Sequence, residues 1–89
     1  MQNEERPQPK AFLEAGKYFL AAGQPGEAAL VLQEGVRLLP SHVGLRQELA
    51  AVYTQLGLPD KAAAEYRIAL TLEPGNDKIR MLLKKIEAQ

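Results

Sequence analysis

Residues 23–40, GQPGEAALVLQEGVRLLP, and residues 57–74, GLPDKAAAEYRIALTLEP, carry the same punctuation at the same places. Gly23 and Gly57 open the two stretches, Pro25 and Pro59 follow two residues later, and Pro40 and Pro74 close them. Ala28, Ala29 and Leu38 of the first match Ala62, Ala63 and Leu72 of the second. One shift of 34 residues produces every pair, and it also aligns Glu14 with Glu48 upstream. Seven identities fall among the 34 pairs of Pro9–His42 against Val43–Asn76. Unrelated sequence of ordinary composition would give roughly two or three. An internal repeat therefore organises the chain, and each repeat must be a unit of supersecondary structure.

Each unit reads as helix, turn, helix. Phe12, Ala15, Gly16 and Phe19 recur at three- and four-residue spacing and mark one face of a first helix. Gly23 supplies the left-handed residue that closes it, and Pro25 fits a first helical position, where its missing N–H costs nothing. A second helix is predicted from about Gly26 to Leu38, with Ala28, Leu32, Gly35 and Val36 inward, and Pro40 stops it. In the second unit Leu45, Leu49, Ala50, Val52 and Tyr53 face inward. Gly57 and Pro59 make its turn, and Ala62, Tyr66, Ala69 and Leu70 form the inner face of its second helix. The small residues on these faces let paired helices approach closely. A fifth helix follows, capped by Asn76 or Asp77, with Ile79, Leu83 and Ile86 on one face and Lys78, Arg80, Lys84 and Lys85 around it. The expected organisation is a flexible leader at residues 1–8, repeats at 9–42 and 43–76, and a half repeat at 77–89 that caps an all-α solenoid of five helices.

Composition removes whole classes of function. The chain has 89 residues, 11 Lys+Arg against 11 Asp+Glu, one histidine and no cysteine. That length excludes a two-domain enzyme. Zero net charge lacks the basic excess that attracts nucleic-acid phosphates. Without cysteine there is no disulfide, thiolate nucleophile or cysteine zinc site. No apolar run approaches the ~18 residues a membrane span requires. Met1–Lys10 lacks the apolar centre of a signal peptide, so a cytoplasmic location is expected. The lone histidine, His42, lies beside Ser41 in the loop between units and reads as a solvated loop residue, at most a rim contact to a ligand. The acids are scattered apart from Glu4-Glu5, so no catalytic dyad, metal site or cofactor is expected. Gly23-Gln24-Pro25-Gly26 lacks the glycine pattern and the lysine of a phosphate loop. The chain is expected not to be an enzyme.

The 34-residue period, the series Gly16, Phe19, Gly23, Ala28, Pro40 and the series Ala50, Tyr53, Gly57, Ala62, Tyr66, Ala69, Pro74 resemble the tetratricopeptide repeat family. The resemblance extends from Pro9 to about Glu87. It departs at the family's common tryptophan, which is Phe12 in one unit and Arg46 in the other. In the first unit Leu32 also stands for the usual aromatic, and Gly35 for the usual alanine. The resemblance implies a right-handed superhelix whose first helices line a concave groove for a segment of a partner protein. Carried over by position, the groove presents Lys10, Leu13, Lys17, Leu20 and Ala21, then Gly44, Gln47, Ala51, Thr54 and Gln55, then Lys78, Met81 and Lys85. Its lysines favour an acidic peptide. Chaperone-binding members clamp a terminal carboxylate with basic and amide residues at positions that are here Leu13, Lys17, Glu48, Lys78 and Leu82. Only Lys78 fits, so chaperone tails are not the expected ligand.

Two competing readings concern the second helix, which is apolar on most sides. Val31 and Leu39 are expected to face solvent, and such a face could serve a homodimer or a neighbouring unit of a longer array. The terminal helix, with its cluster of lysines, reads as a solvated cap rather than a membrane-surface helix.

Overall fold

The computed structural model describes residues 6–89, which form five helices: α1 (Pro9–Ala21), α2 (Pro25–Leu38), α3 (Val43–Gln55), α4 (Pro59–Leu72) and α5 (Asp77–Glu87). Arg6–Gln8, the described end of the expected leader, is exposed and non-helical. The rest of that leader, with Glu4-Glu5, lies outside the described residues.

The repeat is visible in the backbone. Pro9, Pro25 and Pro59 each begin a helix. Gly23 and Gly57 sit at φ +75° and +74°, a conformation that costs an L side chain about 1–2 kcal/mol. Both helix ends close with the same pair of bonds. Gly23 N–H donates to Leu20 O at 3.0 Å and Gln24 N–H to Phe19 O at 2.8 Å. Gly57 and Leu58 repeat them to Thr54 O and Tyr53 O at 3.1 and 2.9 Å. These bonds satisfy carbonyls that the helix end would otherwise leave unpaired.

The loops between units are just as regular, and here His42 departs from expectation. It is half-buried, and its Nδ1 accepts from Leu45 N–H at 3.1 Å, making it the N-cap of α3. One period later Asn76 does the same for α5, accepting from Ile79 N–H at 3.0 Å. Arg46 Nε donates to Pro40 O at 3.1 Å, and Arg80 donates to Pro74 O in the equivalent place. Each interunit loop is thus held by a cap on one side and a guanidinium on its proline carbonyl on the other.

The helices pack α1 on α2, α2 on α3, α3 on α4 and α4 on α5. Leu32, Leu45, Leu49, Val52 and Ile79 are the largest fully buried side chains. Ala28, Ala50, Ala62 and Ala69 have no exposed surface, and they bring the paired helices close enough for those larger residues to interlock. Where the first unit departs from the second, it does so in matched sets. A Cβ on Gly35 would lie 2.9 Å from Phe12 Cγ, so the ring fills the place where the second unit has the methyl of Ala69. A Cβ on Gly16 would meet Leu32 at 3.1 Å, whereas the second unit pairs Ala50 with Tyr66. The position of Phe12 is Arg46 in the second unit and that of Val31 is Glu65. Arg46 and Glu65 form a 2.9 Å ion pair with side chains only 14% and 16% exposed. An apolar pair has been exchanged for a charged one at a fixed place in the repeat.

Candidate functional site

The first helices of the units lie side by side. α1 touches α3, whereas neither α2 and α4 nor α3 and α5 make a comparable contact, so α1 and α3 approach closely and α3 and α5 stand further apart. The residues expected to line a groove recur at one repeat spacing along α1, α3 and α5: Lys10, Gly44 and Lys78; Leu13, Gln47 and Met81; Lys17, Ala51 and Lys85. Leu20 and Thr54, and Ala21 and Gln55, continue the series.

Their environments differ. Lys17, Lys78 and Lys85 are exposed, and among the described residues no acid pairs with them. Lys10 is exposed too, with Glu14 at 3.9 Å, a solvated pair too weak to fix either side chain. Ala51, Thr54, Gln55 and Met81 are exposed. Gln47 and Gly44 are half-buried, the latter beside the His42 ring, where a Cβ would lie 3.0 Å from Cε1. Leu13 and Leu20 are also half-buried and pack against the core, so they offer less free surface than expected.

Only part of the series converges. Between α3 and α5 a cavity of about 290 Å³ opens, and Ala51, Thr54 and Lys85 form one part of its wall. Leu82, Ile86 and Gln89 complete the side of α5, and Tyr66 of α4 lies at the base. Tyr66 is 3% exposed, and its hydroxyl makes no hydrogen bond to the described residues. Since no fully buried side-chain polar atom is left unpaired among those residues, that hydroxyl reaches solvent, and its residue lines the cavity. Burial, with a smaller contribution from the Glu48 carboxylate, raises its pKa above the ordinary tyrosine value. The corresponding cleft between α1 and α3 has Lys17 and Leu20 where this one has Ala51 and Thr54, and Leu32 in place of Tyr66. The side chains are smaller at two of these positions in the second cleft and larger at the third. Tyr66 and Ile86 read from sequence as core residues, and their stripe spacing gave no sign that they also border a cavity. Comparing units position by position exposes the loss of bulk.

The opposite face does not match expectation. Val31 and Leu39 are half-buried and pack against the core. Val31 occupies the position that Glu65 fills in the second unit, where that carboxylate pairs with Arg46 of α3. The exposed large apolar side chains of α2 are instead Leu30, at 61%, and Leu38, at 38%. Val31 and Leu39 therefore offer less free surface than expected. Nearby, Gln33 donates to the Tyr53 hydroxyl at 2.8 Å, and Lys61 lies 5.7 Å from the centre of the Tyr53 ring.

Among the described residues no helix is long and apolar enough to cross a membrane, and no group of three or more His, Asp or Glu side chains is placed to hold a metal ion. No curated protein matches the chain. A tetratricopeptide repeat family model matches residues 19–86, from the end of α1 into the last turn of α5. With its paired helices, left-handed glycine closures and repeating loop caps, the chain belongs to the tetratricopeptide repeat family, whose domains are non-catalytic scaffolds for contacts between proteins.

Proposed function

We propose that the chain binds a segment of a partner protein, extended or helical and of acidic character, along the inner side of α1, α3 and α5. The observation that carries this reading is that Lys17, Lys78 and Lys85, on α1 and α5, are exposed with no acidic partner among the described residues. Lys10 adds a fourth charge, damped by Glu14. In a chain of zero net charge, four cations on one side give a local field that a neutral average conceals. Gln47, Thr54 and Gln55 supply hydrogen-bonding groups between the charges, and Met81, 64% exposed, supplies an adaptable apolar contact. Three helices offer a short groove, so affinity is expected on the order of micromolar, about −8 kcal/mol.

The test is a charge reversal, Lys10→Glu, Lys17→Glu and Lys78→Glu together, compared with the unmodified chain in affinity capture from a lysate of the source cells. All three side chains are exposed, so the variant should retain the helical circular dichroism and melting temperature of the parent. A protein retained by the parent and lost by the folded variant supports the groove. Equal capture by both refutes it.

A further inference from the structure

The two clefts between first helices are not alike, and the difference bears on what is recognised. In the first, Lys17 and Leu20 occupy positions that Ala51 and Thr54 hold in the second. The second cleft is correspondingly hollow, with a cavity of about 290 Å³, the share of roughly ten waters in the liquid. That is at or below the low end of cavities that enclose small-molecule ligands, about 300–1,000 Å³, and is suited to one large side chain with its backbone. Its walls are apolar on the α5 side, through Leu82 and Ile86, and polar at Thr54, whose hydroxyl is spent on Ala50 O, at Gln89, and at two further groups. Tyr66, a residue only 3% exposed, lines the cavity, and its hydroxyl has no partner among the described residues yet is not fully buried. Lys85 stands at the cavity wall on the last turn of α5, exposed and without an acidic partner among those residues.

Resting on the groove reading above, we infer that the cleft between α3 and α5 is an anchor pocket for a leucine-sized aliphatic side chain whose flanking carboxylate is held by Lys85. The Tyr66 hydroxyl serves the backbone of the same residue, donating to its carbonyl or accepting from its N–H. Glu48 lies close enough to Tyr66 to act on it electrostatically, so it repels an acid placed over the α3 side of the cleft. Attraction at Lys85 and repulsion from Glu48 together orient the ligand, with its carboxylate toward α5. A chain terminus or an aspartate or glutamate side chain can supply that carboxylate.

The test uses ¹⁵N–¹H correlation spectra of the full chain titrated with four short acetylated peptides. One ends in leucine with a free carboxylate, one ends in leucine amide, and one ends in alanine with a free carboxylate. The fourth carries an internal leucine–aspartate pair and a C-terminal amide. The expected result is saturable shifts at Thr54, Leu82, Ile86 and Gln89 with at least one acid-bearing leucine peptide. The alanine exchange weakens binding by about tenfold or more, and leucine amide without an acid binds more weakly than either acid-bearing form. Whichever acid-bearing arm binds more tightly identifies the source of the carboxylate.

Thr54→Leu with Ala51→Leu fills the cavity using side chains at exposed positions, one of them the first unit's own choice, and should abolish these shifts without lowering stability. Lys85→Glu should remove the preference for an acid while leaving the leucine preference. Equal affinity for leucine and alanine peptides, or shifts that survive the filled variant, overturns the pocket. Shifts confined to Lys17, Gln47 and Met81 overturn the pocket and leave the groove standing. Absence of any shift likewise overturns the pocket, and the groove is then decided by the lysine reversal alone.

Discussion

Replacing Gly35 by alanine tests the packing logic of the first unit, because two effects of known size oppose each other there. Alanine is better than glycine in a helix interior by about 0.8–1 kcal/mol, so propensity favours the change. The second unit has alanine at the equivalent position, Ala69, completely buried. Yet a Cβ on Gly35 would lie 2.9 Å from Phe12 Cγ, 3.0 Å from Phe12 Cβ and 3.2 Å from Leu45 Cδ2. Phe12 Cβ is fixed to its own helix, so relief requires α1 to move away from α2 or the ring to leave its rotamer. Overpacking of that kind costs about 1–3 kcal/mol. The net expectation is a loss of about 1 kcal/mol, which lowers the melting temperature by about 4–8 °C in a domain of this size. Gly26→Ala is the control, since no atom lies within 4 Å of its Cβ and the gain of up to about 1 kcal/mol is unopposed. Thermal melts followed by circular dichroism should therefore move in opposite directions. A third chain, Phe12→Arg with Val31→Glu, reproduces the residues that accompany Ala69 in the second unit, and in that background Gly35→Ala should stabilise. If Gly35→Ala raises the melting temperature in the parent as much as Gly26→Ala does, Phe12 does not fill the alanine site and the matched exchange between units is wrong.

Glu65→Val isolates the Arg46–Glu65 pair, since Arg46 keeps the Pro40 carbonyl. With both side chains about 85% shielded, the loss in urea unfolding should be about 1.5–3 kcal/mol, above an exposed pair and below a fully buried one. Adding Arg46→Phe and Ala69→Gly should recover most of it by copying the first unit. Asn76→Ala removes the N-cap of α5 and should cost about 1 kcal/mol, and hydrogen exchange should show faster amides in α5 first. Tyr66 has a pKa raised in the fold, so the native state holds the phenolic proton more tightly than the unfolded chain. Its contribution is therefore fully present below the ordinary tyrosine pKa of about 10 and is lost as pH rises through the folded value. Tyr66→Phe should flatten the alkaline decline in stability above about pH 10; an unaltered decline would mean the hydroxyl is not shielded.

Reading the sequence located all five helices because the signals that end and start them are local. Gly23, Gly57 and the prolines act through φ alone, and no tertiary contact is needed to interpret them. Inner faces were equally legible where they rest on spacing, as for Leu45, Leu49 and Val52. What escaped depends on neighbours from other helices. His42 looked like any loop histidine until Leu45 N–H was placed against its Nδ1. Yet the repeat aligns it with Asn76, whose capping role sequence alone permits, and that alignment held the clue. Val31 appeared exposed because a periodicity count treats an apolar run as surplus. The second unit has Glu65 at the same position, and a charge paired there with Arg46 marks a contact between helices. For Lys10, Lys17 and Lys78, spacing gives a shared place in the repeat pattern as an expectation, but it does not reveal which of them has an acid within reach.

Departures from the repeat separate into two kinds with different consequences. Phe12, Val31 and Gly35 against Arg46, Glu65 and Ala69 exchange one complementary set for another inside the helix pairs, and each set is complete only as a whole. Lys17 and Leu20 against Ala51 and Thr54 have no such compensation, since the volume lost there is open space. On α3 the two roles fall on different faces. Leu45, Leu49 and Val52 are fully buried and support both neighbouring helices, while Ala51 and Thr54 are exposed and add little to the core. Trimming Leu49 to alanine should therefore cost about 2–5 kcal/mol, enough to threaten a two-and-a-half-unit stack. Enlarging Ala51 or Thr54 should leave unfolding nearly unchanged. The inner surface can thus vary in shape while the stack that supports it stays the same.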